Sequence, residues 1–162
     1  MPEDHRPRRG PYPGVGFTKQ VQDVNLGPLY DGFSGEFTAD DHGRFLGIAR
    51  TSGKVRGVQL SCLASGKDDS NPLNFEVDVQ INGVTCLTTK PKIAHVSGEA
   101  SQQKTTYPEA ADTGITAAAL NYAANTFGPG DVITADFDIT RTASPTTEIS
   151  FPGIIVELEP NI

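Results

Sequence analysis

The sequence predicts an all-β protein, an antiparallel β-sandwich or barrel behind an extended N-terminal arm. Three observations predict it. Val, Ile and Thr together make up 37 of the 162 residues, against nine Leu and one Met. Such β-branched side chains suit a pleated surface and crowd a helix. Six to eight segments alternate apolar and polar residues with a period of two, the signature of half-buried strands. The 17 Gly and 12 Pro fall largely between those segments, and no helical pattern alternates with them, which excludes βαβ layering.

Taken in order, residues 1–16 (MPEDHRPRRGPYPGVG) carry four Pro and three Gly. Proline removes amide donors and fixes φ, so this stretch reads as an extended arm rather than a helix or central strand. Residues 17–43 read as a turn-rich connecting segment with Val21, Val24, Leu26, Phe33 and Phe37 as candidate anchors, and residues 44–162 as the sandwich domain. A weak strand is expected over Phe45–Arg50. Val58, Leu60 and Cys62 alternate with Gln59 and Ser61 between Gly53 and Gly66, a second strand. Phe75, Val77, Val79 and Ile81 alternate with Glu76, Asp78 and Gln80 and run into Asn82-Gly83, the dipeptide best suited to a type I′ turn. A two-residue loop then sets Ile81 opposite Val84, Val79 opposite Cys86 and Val77 opposite Thr88 on a returning strand, Val84–Thr89. A weak strand follows at Ile93–Val96. Residues 115–125 (ITAAALNYAAN) are Ala-rich, and Asp112 or Thr113 supplies a cap for a short helix, with an irregular loop as the alternative. Ile133, Ala135, Phe137 and Ile139 define a strong strand after the turn Gly128-Pro129-Gly130-Asp131. Ile154, Val156 and Leu158 define the last one, after a break at Pro152-Gly153 that reads as a bulge or corner.

Charge and reactive side chains narrow the function classes. The net charge is −7. Arg6, Arg8 and Arg9 outweigh Glu3 and Asp4 in the arm, a net of +1, which leaves −8 on the remainder. An acidic body repels phosphate, so direct nucleic-acid binding is not expected. The apolar runs are only a few residues long, far short of the ~20 that a spanning helix needs, so no membrane role is expected. No basic stretch followed by an apolar run opens the chain, so no secretory leader is expected. Cys62 and Cys86 lie 24 positions apart with no CxxC, which offers no zinc pattern. Two buried free thiols are the closer reading, with a disulfide still open. His5, His42 and His95 form no HxH or HExxH, and no metal or other cofactor is expected. The Asp pairs at 40–41 and 68–69 lack calcium-loop spacing and read as caps for local amides. No GxSxG or P-loop occurs, and Asp136 and Asp138, the candidates for a carboxylate pair, fall on a strand's outer face. An enzyme is not expected.

The hairpin NFEVDVQINGV, the Ala-rich stretch, FGPGDVITADFDIT and the closing PGIIVELEP together resemble the jelly-roll structural proteins of tailed bacteriophages, over roughly residues 45–160. Capsid decoration or cement proteins and related trimeric fibre-head domains are the members in question. The resemblance implies a jelly roll, a homotrimer on three-fold and quasi-three-fold axes of the outer capsid surface, and the major capsid protein as partner. The virion is then the location, after synthesis in the host cytoplasm. Such families do not share the arm. On its residues alone, Arg6, Arg8 and Arg9 are expected to pair with shell carboxylates while Tyr12 and Phe17 insert as apolar anchors. A neighbouring decoration protein is an alternative partner for the arginines. The competing function is a receptor- or glycan-binding fibre head with Tyr107, Tyr122 and Phe127 clustered at one loop end.

Overall fold

A computed structural model describes residues 29–161. Among them every paired segment is an antiparallel strand, and the only helical element is one 3-10 turn at Pro108–Ala110. The strands of the first half are β1 (Leu29–Gly32), β2 (Glu36–Phe37), β3 (Asp41–Ile48), β4 (Gly53–Cys62), β5 (Ala64–Lys67), β6 (Asn74–Ile81), β7 (Val84–Thr85) and β8 (Leu87–Thr89). Those of the second half are β9 (Lys92–Ala94), β10 (Lys104–Thr105), β11 (Ile115–Thr116), β12 (Ala119–Leu120), β13 (Thr126–Phe127), β14 (Val132–Thr140), β15 (Thr147–Ser150) and β16 (Gly153–Pro160).

Two large sheets carry the fold. One runs β1-β16-β4-β10, with β13 also against β4; the other runs β11-β9-β6-β14-β3, with β7 also against β6. Two smaller ones, β12-β8 and β2-β15-β5, complete it. The period-two pattern supplies the inner faces. Val58, Leu60, Cys62, Ile154 and Val156 come from the first sheet, and Phe75, Val77, Val79, Ile133, Ala135 and Phe137 from the second, all in one buried cluster. Phe33 and Phe37 meet at a 40° tilt with centroids 4.9 Å apart and join Phe137 and Phe75 edge-on at 5.0 to 6.3 Å, each such pair adding ~0.5–1.5 kcal/mol beyond its buried area. The protein is an antiparallel β-sandwich, as its composition and alternation predict.

Several details differ from the sequence reading. The Asn82-Gly83 turn forms with both residues at positive φ, 51° and 79°, and Ile81 pairs Val84 as expected. The return does not continue to Thr88, however. Cys86 and Leu87 are both buried, which a flat strand with side chains on alternate faces cannot provide. The chain bends there: β8 pairs β12, the Val77 amide donates to Pro91 O, and β9 takes the place beside β6 with Phe75 opposite Ile93. The Ala-rich stretch 115–125 forms no helix. Its residues make β11, β12 and a turn, because β9 and β8 offer strand partners and no apolar face at helical spacing needs cover.

Sheet pairing begins at Leu29, inside the segment read as connecting. Four residues of which only Leu29 is buried give no periodic signal. In β4, Val55 and Val58 are both buried although three apart. The register against β16 shifts between Glu157 and Leu158, so Arg56 is the extra residue of a bulge that resets which face points inward. The Pro152-Gly153 break is a corner between β15 and β16, which belong to different sheets.

Candidate functional site

Arg6, Arg8, Arg9, Tyr12 and Phe17 lie outside the described residues. His5, Val21, Val24 and Leu26 lie outside them too, and the other residues singled out by type can be placed. Cys62 and Cys86 are free and buried, and burial pushes their thiols up to about 11 and about 12, so both stay protonated and unreactive at neutral pH. His42 and His95 are held by different carboxylates. The Nε2 of His95 lies 3.0 Å from Asp69 Oδ1, and the Nε2 of His42 lies 2.7 Å from Asp138 Oδ1. Asp68 accepts the amides of Ser70 and Asn71, the local capping its sequence suggests.

Outside β14 a polar cluster forms that sequence spacing does not reveal, because β3 and β14 bring together residues almost a hundred positions apart. Asp40, His42 and Asp138 present one imidazole nitrogen and two carboxylates within 4.8 Å of one another, at the surface. The cluster holds itself together. Asp40 Oδ1 accepts the Ile139 amide at 2.8 Å, and Asp138 pairs with His42 and, at 3.7 Å, with Lys90. Asp136 is likewise occupied by the Gly43 amide and the Gln80 side chain, each at 2.6 Å.

The hydrogen bond from His42 to Asp138 raises the His42 pKa from 6.5. A group whose folded pKa is raised stabilises fully below its unfolded value and loses that contribution as pH climbs through the folded one. His42→Ala is therefore expected to lower the melting temperature more at pH 6 than at pH 8.5; equal losses at both pH values would contradict the pairing. The carboxylates behave oppositely. Asp69 is lowered to about 2, first by the Gly98 amide and then by His95, and Glu99 is lowered by Lys104. Their contribution is present above the unfolded carboxylate range and fades as pH falls through the folded values.

The three aromatics expected to cluster do not. Tyr122 is 82% exposed and Tyr107 44%, but Phe127 is buried, its ring pressed so close to Gly53 that a Cβ there would lie 2.6 Å from it. Phe127, at the end of β13, joins the core because its partner on β4 is a glycine, a packing role that its place beside the Gly128-Pro129 turn conceals.

Two surface features remain. Phe151, at the β15–β16 corner, is half-exposed at φ 51°, a left-handed conformation that bulky residues rarely adopt. The amide of Leu63, itself 59% exposed, donates to Ser150 O, so two exposed apolar side chains flank this corner. The second feature is a groove of about 370 Å³ beside β4, lined by Arg56, Gln59, Glu157, Ala118 and Tyr122 among others. No protein-family model, curated protein or solved structure matches the chain. The class shown is the antiparallel β-sandwich, defined by its own sheets.

Proposed function

We propose that this protein is a structural virion component, a capsid decoration or cement protein of jelly-roll type that binds the assembled phage shell as a homotrimer and stabilises it. The sequence resemblance suggests this family. The structural observation that carries the reading is Phe151, an aromatic kept at the surface on a left-handed backbone beside exposed Leu63. Strain retained at an exposed aromatic is what an interface residue requires and a merely solvated corner does not. Arg6, Arg8, Arg9, Tyr12 and Phe17 extend the contact onto the major capsid protein. A protein that binds only the assembled shell stabilises it by RT ln(1 + [L]/Kd) per site, and a lasting contact buries ~800 Å² per partner.

Phe151→Gly separates binding from folding. Glycine relieves left-handed strain of ~1–2 kcal/mol while losing partial burial and chain stiffness, so stability is expected to change by less than about 1 kcal/mol. Loss of an aromatic anchor costs about 2 kcal/mol, roughly thirtyfold in Kd. The measurement is co-sedimentation with expanded and unexpanded phage capsids, alongside solution mass by light scattering. A trimer that binds expanded capsids, weakened by Phe151→Gly and by deletion of residues 1–16, is expected. A monomer that ignores both capsid forms would end the proposal. The competing fibre-head reading retains only Tyr107 and Tyr122 of its three aromatics; binding on a glycan array without capsid binding would favour it.

A further inference from the structure

β4 has a gap along its edge. On the side away from β16, β10 pairs with Ser61 and Cys62, while β13 pairs with Gly53 and Lys54. Each neighbour continues for one more residue. The Thr106 amide donates to Leu60 O and the Thr106 hydroxyl accepts the Leu60 amide, both at 2.9 Å. At the other end the Val55 amide donates to Asn125 O, and the Asn125 side chain donates to Val55 O. The two strands then diverge. Continued in register, β10 would set residue 108 opposite Val58, and residue 108 is a proline that opens the 3-10 turn and has no amide to give.

Among the described residues, Arg56 to Gln59 are therefore left without a strand neighbour on this side. Antiparallel pairing turns alternate residues toward the same edge, so the Val58 amide and carbonyl face the same way as those of Leu60, into the groove. None of the described hydrogen bonds engages them there. The groove lies along this stretch of β4, with Val58, Pro108, Ala118 and Tyr122 among its lining residues. Ala117, Ala118 and Ala119 give that wall of the groove small side chains.

We infer that this notch is a docking site for a short extended strand, and that its occupant is residues 18–26 of this same protein. Strand addition requires consecutive amide donors. Within residues 1–28 the longest stretch free of Gly and Pro is 17–26, with Val21, Val24 and Leu26 as apolar side chains. Its position suits the site. Leu29, where that segment joins β1, pairs with Val156, which pairs with Val58, so the chain enters the sheet on the same rung as the notch. Three strand spacings, ~14 Å, separate Leu29 from the notch, so the residues just before Leu29 bridge that distance and those ahead of them dock. The notch spans four residues, which a nine-residue segment covers with length to spare. Docking there fastens the root of the arm to the sandwich and leaves residues 1–17 free to reach a partner. The inference does not depend on the capsid reading.

The test uses the full-length protein. Gln59→Cys is combined, one at a time, with cysteines at positions 19 to 25, and disulfide yield is read on non-reducing gels. Gln59 lies at a non-hydrogen-bonded position of the notch, where facing Cα atoms are ~4.5 Å apart and within disulfide reach. Yield is expected to alternate with a period of two along the arm. A fast-moving monomer band shows that the chain's own arm docks and a dimer band that a neighbour's does; either supports the inference. Yields no higher than for the same arm cysteines paired with Thr134→Cys on the opposite sheet, or yields without alternation, overturn it. Amide exchange gives a second readout without cysteines. Replacing residues 18–26 by a Gly-Ser sequence is expected to speed exchange at Val58 roughly fivefold or more, the worth of one net backbone hydrogen bond. Unchanged exchange overturns the inference as well.

Discussion

Lys104→Ala is expected to destabilise the protein by about 3–5 kcal/mol, the cost of dismantling a buried ion pair and leaving a cavity. The Lys104 side chain is fully buried. Its ammonium donates to Glu99 Oε2 and Thr113 O, each at 2.8 Å, with Ala94 O at 3.4 Å and Thr113 Oγ1 at 3.3 Å. Those acceptors converge because Gly114 sits at φ 69° against Ala94, where a Cβ would lie 2.4 Å from the Ala94 carbonyl oxygen. The charge thus ties β10 to the loop before β11 and to the end of β9. Lys104→Met keeps the stem and removes the charge, so it is expected to cost less than half as much. Urea unfolding midpoints of the two variants check both statements, and equal losses would show that the charge and its hydrogen bonds, not packing, decide stability at this site.

Arg44→Ala is expected to cost about 2–3 kcal/mol, below the 3–5 of a fully buried pair because Arg44 keeps a fifth of its side-chain surface in water. The guanidinium forks onto Asp31 at 2.6 and 3.1 Å, reaches Asp41 at 2.8 Å and Gly32 O at 2.9 Å, and stacks 4.0 Å from the Phe33 ring centroid. It joins the edge strand of one sheet, β1, to the edge strand of the other, β3, and so closes one side of the sandwich. Asp31 binds it first and raises its pKa further. Arg44→Lys retains charge but loses the planar fork and the stacking, so it is expected to recover less than half of the loss. A lysine variant as stable as the parent would reduce the site to simple charge pairing.

Much of the framework is legible in the residues. Period-two runs at Phe75–Ile81, Ile133–Ile139 and Ile154–Leu158 need no tertiary information, because a strand's two faces meet different solvents and the side chains record it. The Asn82-Gly83 turn is equally local, since few other residue pairs tolerate two positive φ values. The short elements are not legible. β1, β2 and the strands at 115–120 hold two to four residues each and exist because a neighbour offers hydrogen bonds. Lys104 lies in a polar stretch that reads as solvent-facing, and only the convergence of Glu99, Thr113 and Ala94 permits its burial.

The sequence by itself determined the all-β class, the inward residues of the long strands, one tight turn and the absence of familiar catalytic motifs, all of which depend on neighbours within a few positions. The tertiary structure decided where the return strand leaves β6, which polar groups meet at His42 and Lys104, the exposure of Phe151 and the gap beside Val58. Each of those depends on which strands become neighbours, and strand pairing joins residues more than a hundred positions apart, such as Leu29 and Val156, whose local patterns carry no record of one another.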